Sequence, residues 1–223
     1  MTQDYAASIR GKPIPKQHVE TFLRTDALRG AGNCATSHNG AAPAHGHGAA
    51  LSARAARQRR RWATQVIVTD ELARHACAAR GLPPPDDVLP MHLLTIPETD
   101  VADLGSIIAA ALAHSPAARA LLAALEREQH IPETAVRDYY DRNQDRFLTP
   151  EALRRGVDPY NAPDPSDIQP YEHVQDGIAR QLRHAAARRA FFDWLDQARA
   201  DVVYAEGHEH PGDPSQPDHE HRH

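Results

Sequence analysis

Aromatic residues make up only 5% of this 223-residue chain, and cysteine occurs twice, as Cys34 and Cys77. So few aromatics leave the core to Ala, Leu, Val and Ile, a composition that favours helices, since Ala and unbranched side chains lose least on entering them. Two cysteines cannot staple a small secreted scaffold. No apolar run approaches the ~20 residues that a membrane-spanning helix needs. The opening MTQDYAAS lacks the basic flank and apolar stretch of an export signal. These absences read as a cytoplasmic protein with reduced thiols and no membrane contact. Basic residues do not dominate either: Lys+Arg 25 against Asp+Glu 30 gives a net charge of -5, which argues against a nucleic-acid partner. There is no C-x-x-C and no H-E-x-x-H. Gly46-His47-Gly48 follows no strand and meets Leu51 where a dinucleotide loop needs its third glycine. Glu172, His173 and Asp193 have no evident nucleophile beside them, so no catalytic residue is assigned.

Histidine is plentiful by contrast, with 15 residues unevenly placed. Residues 30–50, rich in Gly and Ala, hold Cys34, His38, His45 and His47 and read as a flexible loop. Residues 207–223 hold His208, His210, His219, His221 and His223 among three prolines and read as a disordered tail. Imidazole and thiolate are ligands for Zn, Ni, Cu and Co ions, and flexible His-x-His pairs can wrap an ion without a preformed cavity. These nine residues are the candidate metal ligands, with Ni or Zn the candidate ion and no cofactor required. A solvated low-complexity tail is the plainer reading of the same residues. Cys34 reads equally as a free surface thiol, and Cys77 as a small buried hydrophobe.

Elsewhere the apolar pattern has a helical period. Pro15 is placed to open a helix over Val19, Phe22 and Leu23 to about Leu28. A long helix is expected from Ala50 towards Arg80, with Trp62, Val66, Ala73 and Cys77 on it and Gly81 and three prolines to stop it. The β-branched run Val66-Ile67-Val68-Thr69 is a place where that helix could break. Further helices are read over Val101, Leu104, Ile108 and Leu112; after Ser115-Pro116; from Pro132 through Val136, Tyr139 and Tyr140 to about Asn143; and from Pro170 to Ala200. The last places Val174, Ile178, Leu182, Ala185, Phe192 and Leu195 on one stripe. Two short extended segments, Ala6–Arg10 and Asp201–Tyr204, are too short to stand alone and are expected to pair, tying the two ends together.

The order of these signals resembles a known family. Ala7-Ser8-Ile9-Arg10-Gly11-Lys12-Pro13-Ile14 is similar to the strand, turn and helix entry of the SurA and PrsA type peptidyl-prolyl isomerases. WATQVIVTDELARHACAARGL (62–82) is similar to their second long helix. IPETAVRDYYDRNQDRFLTP (131–150) resembles the segment that leads into their parvulin catalytic domain. Residues 171–204 resemble the closing helix and final strand. The resemblance implies a mostly α fold, a SurA N-terminal-like helical chaperone module with a short two-stranded tie between the chain ends. Its parts would be a strand and first helix (1–29), the His-rich loop (30–50), a helical core (51–147), a Pro-rich linker (148–170), the closing helix and strand (171–206) and the tail (207–223).

The chain departs from that family at one point. Where the parvulin domain would stand, only the 23 residues Leu148–Pro170 intervene. Domains below ~40 residues rarely fold without disulfides or metal, so the isomerase is not expected and the holding activity is. The expected partner is a non-native client protein, bound without ATP, with Trp62, Tyr139, Tyr140, Phe147, Phe191 and Trp194 as candidate peptide-binding residues. All six also read as ordinary core. Phe191 and Phe192 cannot both face one core stripe, and Phe191 is taken as the one left open. The arginines at 57, 59, 60 and 61 and at 180, 183, 188 and 189 read as solvated helix faces or a grip on acidic clients. With the histidines, the resemblance points towards the cytoplasmic members linked to nitrogenase maturation, and so to a metalloenzyme subunit (nitrogenase or hydrogenase) as client. A degenerate isomerase and a Ni or Zn store are the alternatives.

Overall fold

The computed structural model describes residues 4–24, 47–83, 105–161 and 163–212, with the backbone alone for 47–52 and 106. Strands β1 (Tyr5–Ile9) and β2 (Lys12–Pro15) come first, followed by helices α1 (Lys16–Arg24), α2 (His47–Ala79), α3 (Ser106–His114) and α4 (Pro116–Glu128). Then follow α5 (Glu133–Arg142), a 3-10 turn at Gln144–Phe147, α6 (Pro150–Arg155), a second 3-10 turn at Pro165–Asp167, α7 (Tyr171–Arg199) and β3 (Val202–Tyr204). The chain divides into two compact units, Met1–Leu121 with Asp193–His223, and Leu122–Phe192. The described residues are mostly helical, with one small sheet, and among them no single helix is long and apolar enough to cross a membrane.

In the first unit β1 lies at the centre of a three-stranded antiparallel sheet, in the order β2-β1-β3. The expected pairing of the two ends is present, with Ala7 opposite Tyr204 and Ile9 opposite Val202. The expected tie of two strands is corrected to three. Arg10 and Gly11 both take positive φ, 50° and 79°, and form a two-residue turn that folds β2 back with Ile9 opposite Lys12. Pro13 and Pro15 hid this strand, because proline is excluded from central strands but tolerated on an edge. Pro15 therefore ends β2 rather than opening the helix, which starts at Lys16.

The long helix α2 runs unbroken through Val66-Ile67-Val68-Thr69. Tertiary burial overrides the β-branched penalty: Val66, Val68 and Thr69 are fully buried, and burying one such apolar side chain contributes ~1.5–3 kcal/mol, more than the propensity lost. The helix ends on Gly81 (φ 63°), with Gly81 N–H donating to Ala78 O at 3.2 Å and Leu82 N–H to Cys77 O at 3.0 Å. That pair of bonds satisfies carbonyls the helix leaves open. Ala6, Val19, Phe22, Ala63, Val66, Ala110 and Ala111 form the core, with Leu23, Trp62 and Ile67 against it. Ser115 caps α4 by accepting from Ala118 N–H at 2.9 Å.

The second unit is built around Val136, Tyr171 and Ile178, with Ile131, Tyr139, Tyr140, Phe147, Val174 and Leu182 packed on them. On α7 the buried positions are Tyr171, Ile178, Ala187, Phe191 and Leu195. Of the expected stripe, Ile178 and Leu195 are buried, Val174, Leu182 and Phe192 are half-buried, and Ala185 is exposed. A row of i+4 neighbours drifts around a helix of 3.6 residues per turn, so one fixed stripe does not serve 29 residues.

Candidate functional site

In the second unit the last turn of α5 carries Tyr139 and Tyr140, and Asn143 ends it by donating from its backbone N–H to Tyr139 O at 3.1 Å and from Nδ2 to the same oxygen at 2.7 Å. The 3-10 turn that follows brings Phe147 back over both rings. Its centroid lies 5.1 Å from Tyr140 and 6.4 Å from Tyr139. Tyr171, at the start of α7, meets Tyr140 edge-on at 5.5 Å, and the Arg137 guanidinium lies over the Tyr171 ring, 4.1 Å from its centroid. Val136 and Ile178 are buried beneath. Tyr139, Tyr140 and Phe147 are half-buried.

The phenol oxygens are partly used. Tyr140 donates to Gln169 O at 2.6 Å, and burial pushes its pKa up, so it stays a neutral donor at ordinary pH. Tyr139 Oη accepts from Arg146 Nη1 and from Gln181 Nε2. Tyr171 Oη is buried with no hydrogen-bond partner among the described residues. The arrangement offers apolar area with polar edges.

Residues 148–168 leave this cluster as a closed loop. Leu148 and Ile168 form an antiparallel bridge, Thr149 N–H donates to Asp167 O at 2.8 Å and Gln169 N–H donates to Phe147 O at 2.7 Å. Inside the loop Thr149 caps α6, and Gly156 (φ 69°) ends it. Arg155 pairs with the buried carboxylate of Asp167. Tyr160 donates to Asp145 Oδ1 at 2.8 Å, a bond that raises its phenol pKa. The segment read as a proline-rich linker thus contains a short helix. It also exposes two apolar side chains, Leu153 at 60% and Tyr160 at 61%.

Of the six aromatic candidates, the fold brings together Tyr139, Tyr140 and Phe147. Trp62 belongs to the first unit, where it packs 6.4 Å from Phe22, and Trp194 is half-buried there. Phe191, expected to be the open member of its pair, is the closed one at 1% exposure. It faces the buried row with Ala187 and Leu195, four residues to either side, whereas Phe192 is turned 100° away. Tyr171 joins the cluster unannounced; its signal was an aromatic directly after Pro170, where a helix begins.

Of the metal candidates, Cys34, His38, His45, His219, His221 and His223 lie outside the described residues, and His47 is placed only by its backbone at the head of α2. His210 is exposed and accepts from Gly212 N–H through Nδ1 at 3.1 Å. His208 is buried, 2.8 Å from Thr64 Oγ1. Among the described residues no three His, Cys, Asp or Glu side chains are grouped to hold an ion. Residues 207–212, read as part of a disordered tail, are instead tied down: Gly207 (φ 81°) turns the chain and His208 N–H donates to Ala205 O at 3.0 Å. Cys77 is buried as expected, its thiol donating to Ala117 O at 3.3 Å and its pKa raised by burial.

Composition gave no hint of the polar seam that holds this end of the chain to α2. Four buried polar residues at helical spacing face it in reverse order: Arg61 meets Glu209 (3.6 Å), Thr64 meets His208 (2.8 Å), Gln65 meets Tyr204 (3.1 Å) and Thr69 meets Arg199 (3.4 Å). Arg61, read as part of a solvated basic face, is 4% exposed. Comparison of the chain with protein-family models, with curated proteins and with solved structures finds no match.

Proposed function

We propose that this protein is an ATP-independent holding chaperone, a SurA-type helical module without the parvulin domain, that binds extended apolar segments of non-native clients. The observation that carries the reading is the half-open cluster of Tyr139, Tyr140 and Phe147 above a fixed hydrophobic base in the second unit. Rings of this kind supply contact area with few rotamers to freeze, and they tolerate many sequences. Two further features support it. The loop at 148–168 closes on itself in fewer residues than a catalytic domain needs, and it exposes Leu153 and Tyr160 within the same unit. Histidines of the loop and tail would add delivery of Ni or Zn to a metalloenzyme client.

The test is suppression of client aggregation by the full chain. Phe147→Ala and Tyr139→Ala should weaken holding several-fold while the helical circular dichroism is kept, and Tyr140→Phe, which removes only the bond to Gln169, should stay near wild type. Equal holding by all three variants places the client elsewhere. Prolyl isomerisation that a point substitution abolishes would replace the holding reading with an enzymatic one.

A further inference from the structure

Gln65 lies in the middle of α2 and is fully buried. Its Oε1 accepts from the Tyr204 hydroxyl at 3.1 Å, whereas its Nε2 is buried with no hydrogen-bond partner among the described residues. One turn on, Thr69 spends its hydroxyl hydrogen on Gln65 O at 2.8 Å and accepts a long contact from Arg199 Nη2 at 3.4 Å. Arg199 Nε is also buried and unpartnered among the described residues. Both of these unsatisfied atoms are donors; of the side-chain oxygens in the group, Gln65 Oε1 already accepts from Tyr204 and Thr69 Oγ1 from Arg199 Nη2, while Tyr204 Oη acts only as a donor.

Arg199 is half-buried, and a guanidinium whose Nε is shut off from water ordinarily meets a carboxylate there, because desolvated charge left unpaired is costly. None pairs with Arg199 among the described residues; Asp196, three residues earlier, is exposed and acts on it only at a distance. Burial lowers the Arg199 pKa, opposed by Tyr204 and then by Asp196. A water molecule at either donor would satisfy that hydrogen but would leave the charge unbalanced.

We propose that Gln65, Thr69, Arg199 and Tyr204 form a binding site for a small anion, of halide or carboxylate size, held by the Arg199 charge and the Gln65 amide. The site lies in the first unit and is separate from the aromatic cluster, so it stands or falls independently of the holding reading.

Thermal melting of the full chain in chloride, in formate and in bulky isethionate, at matched ionic strength, tests it. A saturable rise of a few degrees in chloride or formate over isethionate is expected, and the better of the two identifies halide or carboxylate. Gln65→Glu supplies the missing negative charge from within the chain while keeping an acceptor for Tyr204. That variant should melt higher than wild type in isethionate and lose its response to the small anions. Crystals grown in bromide give a second reading, with an anomalous peak expected beside Gln65 Nε2 and Arg199 Nε. Melting that follows ionic strength alone, with no bromide peak, overturns the proposal; it is the outcome if the Gln65 amide simply turns its oxygen towards Arg199.

Discussion

His208 Nδ1 lies 2.8 Å from Thr64 Oγ1, and the single hydroxyl hydrogen of Thr64 is directed to Arg60 O at 2.9 Å. The imidazole must therefore be the donor, as the neutral Nδ1–H tautomer. Burial, followed by the nearby positive charges of Arg60 and Lys16 and opposed by Glu209, lowers its pKa to about 4.

This predicts a pH dependence of stability. The folded pKa is depressed below the ordinary histidine value, so between about pH 6.5 and 4 the unfolded chain binds more protons. Stability should be fully present above pH 6.5 and fall as pH drops through that window, by on the order of 2 kcal/mol for this one group. His114, its pKa also lowered by burial, adds a loss of the same sign. Urea midpoints of wild type and His208→Gln at pH 7 and pH 4.5 check it; an equal decline in both would remove His208 from the account.

Arg10 stands at a positive φ of 50° beside Gly11, a backbone that costs a residue with a Cβ about 1 kcal/mol. Arg10→Asn should raise the melting temperature, since Asn-Gly is the preferred pair for such a hairpin turn. Gly11→Ala should lower it.

The two adjacent phenylalanines should respond differently. Phe191→Ala removes a ring that is 1% exposed and should cost about 3–5 kcal/mol. Phe192→Ala removes a half-buried ring and should cost clearly less. Chemical denaturation with unchanged m-values checks the order, and a reversal would mean that α7 is rotated.

Arg155→Gln leaves the buried Asp167 carboxylate without its ion-pair partner. Protease cleavage within residues 149–167 should quicken while the flanking helices α5 and α7 resist; unchanged resistance of 149–167 would show that the bridge at Leu148 and Ile168 suffices to hold the loop.

The sequence made the helices legible because their apolar faces repeat locally: Val19 with Phe22, Val136 with Tyr140, Ile178 with Leu182. The pairing of β1 with β3 was legible because neither segment could stand alone. What stayed hidden depends on contacts distant in the chain. β2 was masked by its prolines, the polar seam joins residues more than a hundred positions apart, and which of Phe191 and Phe192 is buried depends on the drift of a long helix. In the candidate site, α5 and the turn after it placed Tyr139, Tyr140 and Phe147 together by local geometry. Trp62 and Trp194 lie in another unit, a division that helical periodicity does not report.

The position of β1 has a consequence for synthesis. It pairs at once with β2 on one flank, but its other neighbour is Val202–Tyr204. At about 5–20 residues per second, the ribosome takes roughly ten seconds or more to deliver that third strand. Until then one edge of β1 stays open to any extended chain nearby, so a newborn copy of this protein passes through an interval in which that edge is a template for mispairing.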